Sequence, residues 1–479
     1  MNSQRLPRWI ALFLLLVLPW PPHANAYSLL THEQLIDLTW QDSIVPLLLS
    51  RYPDLTPAQL EEARAYAYGG CVIQDIGYYP YGDMMYSNLT HYVRSGDFVV
   101  SLFRNAESAD ELAFAIGALS HYIGDTIGHA TATNLAVSVE FPKLRAKYGP
   151  SVNYAQGRHQ HVQTEFAFDI DEIAHHRVAP VHYLRHIGLQ VSVRQLAVAY
   201  YQTYGITEDF TGTRKHRFNV SGYRFAVRLF IPRIAYAVTL LHRNHEPAEA
   251  NSPERIEMDK EVAAVATENN WQTYRRKSGI GTYALAGIIF IMPKIGPLKM
   301  VAIKGPTETT EADYLHSVVL SVAALRRRLA SFTPPASLRS HTANAISKAT
   351  QAPLPPAQPL PANSPVGPIP HPANDPHHPL PNRDLDTGFA VQPGGYSLTD
   401  STYADLLHRL TRSPTQPIPP GIKEDILAYY ADPASPITTK KDPSAWAVVE
   451  ADLATLATVP TSTAPEPYPT YGDTADITQ

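Results

Sequence analysis

From residue 27 to about residue 245, the apolar residues, chiefly Ala, Leu, Ile and Tyr, recur at three- and four-residue steps. Few stretches alternate with period two. Such spacing lines one side of a helix, so this part of the chain is predicted to be mostly α-helical. Two helix starts are explicit. Thr56-Pro57-Ala58-Gln59 sets a capping hydroxyl before a proline at the first helical position, with a glutamine three residues beyond the cap. Ser108-Ala109-Asp110-Glu111 repeats the logic with serine and glutamate. Further helices are predicted over 159–175, 222–243 and about Thr310 to Ala330. The last ends in Arg326-Arg327-Arg328, where positive charge suits the carbonyl end of a helix.

Two regions break this pattern. Gly279 through Met292 is an apolar run that Pro293 and Lys294 cut short. It is too short for a transmembrane helix. Residues 279–302 read as a core segment or buried hairpin, or else as a surface element that makes peripheral contact with a membrane. Residues 351–382 hold 12 prolines. They lack the backbone donors and apolar side chains for a core, so 346–385 is expected to be a disordered linker. Short helices are predicted over Tyr396–Arg412, Ile422–Ala431 and Trp446–Ala457. This C-terminal region, 386–460, is expected to return onto the main domain, 27–345, and 461–479 to be a disordered tail.

The first residues suggest a compartment. Arg5 and Arg8 precede an apolar run from Ile10 to Leu18, then Pro19, Pro21 and Pro22, then Ala24-Asn25-Ala26. This describes a secretory signal peptide over 1–26, with an uncleaved anchor as the rival reading. Cleavage after Ala26 makes Tyr27 the first residue and moves the net charge from -5 to -7. An exported chain, periplasmic or secreted, is expected. Its single cysteine, Cys71, cannot form an internal disulfide, so stability must come from a large core or from metals. The acidic balance makes stable nucleic-acid binding unexpected.

The candidate chemistry lies on the helix after Ser108. Between Leu112 and His129 there is no Lys, Arg or Glu, yet His121, Asp125 and His129 follow at four-residue steps. Residues four apart stand one above the other on a helix. Buried imidazoles and carboxylates need partners, and a metal ion is one such partner; a hydrogen-bonded network between helices is the other. Farther on, His161 and Glu165 are again four apart. Earlier, Asp75 sits in a Gly/Tyr-rich turn, His91 follows Asn88-Leu89-Thr90, and His32 lies five residues after Tyr27. His175, His176, His182 and His186 read as supporting, solvated or capping residues. His371, His377 and His378 fall among the linker prolines.

The order of these residues over about 27–170 resembles the zinc-dependent phospholipase C family and its relatives, the single-strand-specific zinc nucleases. The resemblance implies an all-α, multi-helix domain with a trinuclear zinc cleft. It implies one Zn2+ held by Asp75, His91, His121 and Asp125, and a second held by His129, His161 and Glu165. A third would use the main-chain amino and carbonyl groups of Tyr27 with His32, Asp125 bridging two ions. Asp75 is the candidate general base. Two departures stand out. The families usually begin with Trp where this chain has Tyr27. Their usual Asp-to-His spacing is six, whereas Asp125 to His129 is four, so the second ion needs a different local path or one ligand fewer.

The function so implied is a zinc-dependent phosphoric diester hydrolase acting on a phospholipid or another phosphodiester. The leading reading is a phospholipase C releasing a phosphorylated head group and diacylglycerol. The alternatives are a single-strand nuclease or nucleotidase, which would need a stacking slot for bases, and a non-catalytic envelope protein stabilised by zinc. Tyr78, Tyr79 and Tyr81 are aromatic enough for such a slot but read as packing residues.

Overall fold

Local capping starts the helices that carry the core. Thr56 and Gln59 form a reciprocal capping box at the head of Pro57–Gly70, and Ser108 accepts from the Glu111 amide at 3.2 Å to open Ala109–Gly128. The computed structural model describes residues 29–79, 82–208, 210, 214–242, 252–293, 301, 303, 305–332, 380–419 and 421–462. Among these the regular structure is helical, and the extended pairings are two isolated bridges, Arg383 with Ala390 and Ile418 with Thr461. The architecture is all-α, as the periodicity predicts. The expected signal segment 1–26, Tyr27, most of the Pro-rich stretch and most of the tail lie outside the described residues.

We label the helices used below α1 (Leu29–Thr39), α2 (Pro57–Gly70), α3 (Met84–Tyr92), α4 (Ala109–Gly128), α5 (Arg158–Ala174), α6 (Ile231–His242), α7 (Pro253–Glu268), α8 (Ile280–Ile291), α9 (Glu308–Phe332) and α10 (Ser397–Thr411). Helix α4 is the axle of the fold, with α1, α2 and α9 packed around it. The approach of α2 and α4 is backbone to backbone. A Cβ on Gly70 would stand 2.1 Å from the Phe114 carbonyl oxygen, and one on Gly117 would stand 2.3 Å from that of Ala67. Only glycine allows this contact, and it brings α4 close to the turn after α2 that carries Asp75.

A buried arginine ties α5, α7 and α9 together. Arg177 pairs with Glu172 of α5 and Glu311 of α9, each at 3.2 Å, and with Asp259 of α7 at 2.8 Å. The arginine run of α9 behaves differently from its expected role at the helix terminus. The helix continues to Phe332, and Arg326 turns sideways to Glu261 at 3.1 Å and Asp42 at 2.9 Å. Tertiary carboxylates outcompete the weaker helix-end field there.

Residues 380–396 lead into α10, which packs on α3. The apolar run after Gly279 is not a buried core segment: α8 lies largely in solvent, and of its residues only Ala286 and Ile289 are buried.

Candidate metal centre

Helix periodicity places His121 and Asp125 on the same side of α4, pointing at the turn Ile73–Tyr78 and at α3. The turn is sewn in place by side chains. Gln74 Nε2 donates to the Ala118 carbonyl of α4 at 2.9 Å, and Ser87 Oγ of α3 donates to the Gln74 carbonyl at 2.6 Å. Asp75 is thereby held against His91.

Four ligand-type atoms converge. Asp75 Oδ1 is 3.3 Å from His91 Nε2, and His91 Nε2 is 3.4 Å from His121 Nε2. Asp125 Oδ2 is 3.0 Å from His121 Nε2 and 3.6 Å from His91 Nε2. Two atoms bound to one tetrahedral zinc, each about 2.0–2.2 Å from it, stand about 3.3–3.6 Å apart. Most of these separations match that edge length. The imidazoles are also correctly oriented. His91 Nδ1 donates to the Ser87 carbonyl at 2.7 Å and His121 Nδ1 to the Cys71 carbonyl at 3.0 Å. Each Nε2 is left facing inward, the orientation that metal-ligating histidines require.

Asp125 faces two ways. Its other oxygen, Oδ1, is 3.2 Å from His32 Nε2, and the His32 ring stacks on His121 with centroids 4.2 Å apart. His32, His121 and Asp125 thus form a second group, which shares His121 with the group of Asp75, His91 and His121. Helix α1 is clamped in position by Asp169 of α5, whose carboxylate accepts from the Leu30 amide at 3.1 Å and the Thr31 amide at 3.2 Å. A buried carboxylate at a helix N-terminus satisfies its free amides and suits its positive end.

The third group lies one turn farther along. His129 is about 6 Å beyond Asp125 on the helix axis. There α4 gives way to a wider π turn, His129–Thr133, closed by the Asn134 amide on the His129 carbonyl. His129 meets α5, where Glu165 Oε1 is 2.9 Å from His161 Nε2 and 3.7 Å from His129 Nε2. The four-residue spacing therefore still delivers His129 to the His161–Glu165 pair. Tyr27 falls outside the described residues; the other eight candidate residues come together in these three groups.

Every one of these eight is at most 2 % exposed. Burial opposes the charge on Asp125, but His121, His32 and His91 around it hold its carboxyl well below the usual carboxylate range. Burial lowers His91, yet Asp125 and Asp75 outweigh it and push that imidazole up to about 10. Burial, then His129, holds His161 well below the ordinary histidine value. Burial, then Asp125 and Asp75, pushes Glu165 well above the carboxylate range. Both oxygens of Glu165 and both ring nitrogens of His129 are buried without a hydrogen-bond partner. Groups in that condition are costly unless a cation joins them. Neutral imidazole and carboxylate donors at these separations fit zinc.

Several neighbours of the centre have no signal in the local sequence pattern. Tyr78 and Tyr92 stand 5.5 and 5.9 Å from the His91 ring, and Tyr154 stands 5.8 Å from His161. Residues 380–396 pack on the elements that carry the ligands. The Leu385 amide donates to the His91 carbonyl at 3.1 Å, and Asp386 accepts from Tyr92 at 3.0 Å and Tyr396 at 2.5 Å. Gly388, at φ 74°, lies so close to α4 that a Cβ would be 2.4 Å from the Thr126 carbonyl. A fourth group, Asp171, His175 and Glu311, has metal-like spacing, but the Arg177 guanidinium sits among its acids.

Residues 31–208 match the family described as zinc dependent phospholipase C. No curated protein and no solved structure matches the chain. The family match supports a hydrolase of the phosphodiesterase type and spans all eight of the described ligand-type residues.

Proposed function

We propose, from the match of residues 31–208 to the zinc dependent phospholipase C family, that the protein is a phospholipase C that releases a phosphorylated head group and diacylglycerol. The observation that carries the reading is Asp125, whose Oδ1 faces His32 while its Oδ2 faces His121 and His91, with the group of His129, His161 and Glu165 one turn away. Asp75, His91, His121 and Asp125 would hold one zinc ion, and His129, His161 and Glu165 another. His32 and Asp125 would contribute to a third, completed by the main chain of Tyr27. Zinc supplies Lewis acidity toward a phosphate diester and makes water a stronger nucleophile at neutral pH.

The chain's own residues position and move protons. Ser87 and Cys71 carbonyls fix the tautomers of His91 and His121. Asp75 is assigned the general base: its Oδ1 faces the Nε2 atoms of His91 and His121, and its Oδ2, buried without a hydrogen-bond partner, is able to accept a proton from attacking water. The basic start, apolar run and Ala-Asn-Ala end of residues 1–26 support action outside the cytoplasm, with Tyr27 freed by cleavage.

The test is zinc per chain on protein matured by export, followed by hydrolysis of a short-chain phosphatidylcholine and of single-stranded DNA. Two or three tightly held zinc ions and release of phosphocholine are expected. Cleavage of DNA but not lipid would move the assignment to the nuclease relatives. Bound zinc with neither activity would make the metal structural.

A further inference from the structure

Helix α8 lies outside the family-matched residues and has the sequence IGTYALAGIIFI, with no charged side chain. It rests on α6. Ala286 and Ile289 are buried, while Ile280 is 90 %, Phe290 74 %, Ile291 78 % and Tyr283 55 % exposed. A Cβ added at Gly279, Gly281 or Gly287 would meet nothing within 4 Å. A helix that is apolar all round belongs in a protein interior or in lipid, and a contiguous exposed apolar face marks an interaction site.

Charge identifies the partner. Arg276 and Lys277 are exposed immediately before α8, and Arg228 and Arg233 are exposed on the helical run that α8 packs against. Arg185 lies within electrostatic reach of Arg228 and Arg233, and His182 within reach of Arg276 and Arg185, so these cations form one neighbourhood. A second copy of the chain fits this surface poorly, because a two-fold interface would bring the same cations face to face. A surface that combines apolar side chains with clustered arginines matches an anionic bilayer: acyl chains receive the first and phosphates the second.

We propose that α8, flanked by Arg228, Arg233, Arg276 and Lys277, is a docking surface for an anionic phospholipid bilayer. The helix is about 18 Å long, too short to span about 30 Å of hydrocarbon, and lies in the interface plane. The neighbouring run Val220–His242 is long and apolar enough to cross a bilayer by composition. It carries Arg224, Arg228 and Arg233, however, and in this proposal stays at the phosphate level. The surface deepens the phospholipase reading by naming where the enzyme meets its substrate, but its test does not depend on catalysis.

The full-length zinc-loaded protein is sedimented on ice with vesicles of phosphatidylcholine alone or with added phosphatidylglycerol. Binding is expected to strengthen with phosphatidylglycerol and weaken with salt. I280D/F290D changes two exposed side chains, so the fold is retained, as circular dichroism will confirm. It should reduce vesicle binding at least about tenfold while leaving hydrolysis of a soluble short-chain diester unchanged. R228E/R233E should reduce binding to anionic vesicles about fivefold or more per charge. Parent-like binding by both variants overturns the proposal. So does a dimer in analytical ultracentrifugation that I280D/F290D converts to monomer without any vesicle binding by the parent. Vesicle binding without diester hydrolysis would sink the phospholipase reading and leave this surface standing.

Discussion

Two buried clusters in this protein look alike on paper. Around His121 and Asp125, carboxylates and imidazoles converge from α1, α3 and α4. Around Arg177, Asp171, Glu172, His175 and Glu311 converge from α5 and α9. Both combine residues at four-residue spacing with ligand-type atoms a few ångströms apart. The difference is the source of positive charge. At the second cluster a guanidinium supplies it, with Gln34 Nε2 donating to Glu172 at 2.6 Å to complete the shell. At the first, among the described residues, the carboxylates face imidazole nitrogens, and the other nitrogens of His91 and His121 are committed to backbone carbonyls. Spacing alone does not distinguish a metal centre from an ion-pair hub; the identity of the available cation does.

The comparison breaks most sharply at Asp125. Replacing this residue, Asp125→Ala, removes the carboxylate that faces His32 through one oxygen and His91 and His121 through the other. Activity should fall by more than about a hundredfold, since losing even a supporting partner of a metal ligand costs 10–100-fold. Zinc per folded chain, measured by mass spectrometry, should drop to about one ion. Full zinc content in this variant would show that the shared carboxylate is not a bridge.

Arg177→Met makes the opposite test. It leaves Glu172 and Glu311 buried without their cation, and should lower unfolding stability by about 3–5 kcal/mol. Zinc content of the folded fraction should stay at the parent value. A variant that instead gained a zinc ion would show that the two clusters differ only in occupancy.

The smallest effect is a pH dependence at the edge of the hub. The hydrogen bond from His175 to Asp171 outweighs burial and raises the imidazole from 6.5 to about 9. A histidine raised on folding contributes stability that is complete below its unfolded value and lost as pH rises through the folded one. The parent should therefore lose this contribution between pH 6.5 and 9. In urea titrations His175→Gln should show a shallower decline over that window. Equal slopes in parent and variant would remove His175 from the hub's electrostatics.

Much of the centre was legible because helix geometry is local. His121 with Asp125, and His161 with Glu165, align through nothing more than 3.6 residues per turn, and the caps at Thr56 and Ser108 mark where those turns begin. The fate of His129 was less legible, because four-residue spacing permits either a lost ligand or a new path. The position of α5 supplies the path. Asp386 left no signal at all, since it reaches Tyr92 across 294 positions of sequence.

The same division runs through the whole molecule. Periodicity, capping and the order of ligand-type residues were determined by the sequence itself, because each depends on neighbours within a turn or two. The tertiary structure decided which carboxylate faces two imidazole groups, which acid cluster receives an arginine, and that α8 stays in solvent rather than joining the core. Those outcomes depend on which surfaces meet. A run of apolar residues carries no record of whether another element arrives to cover it.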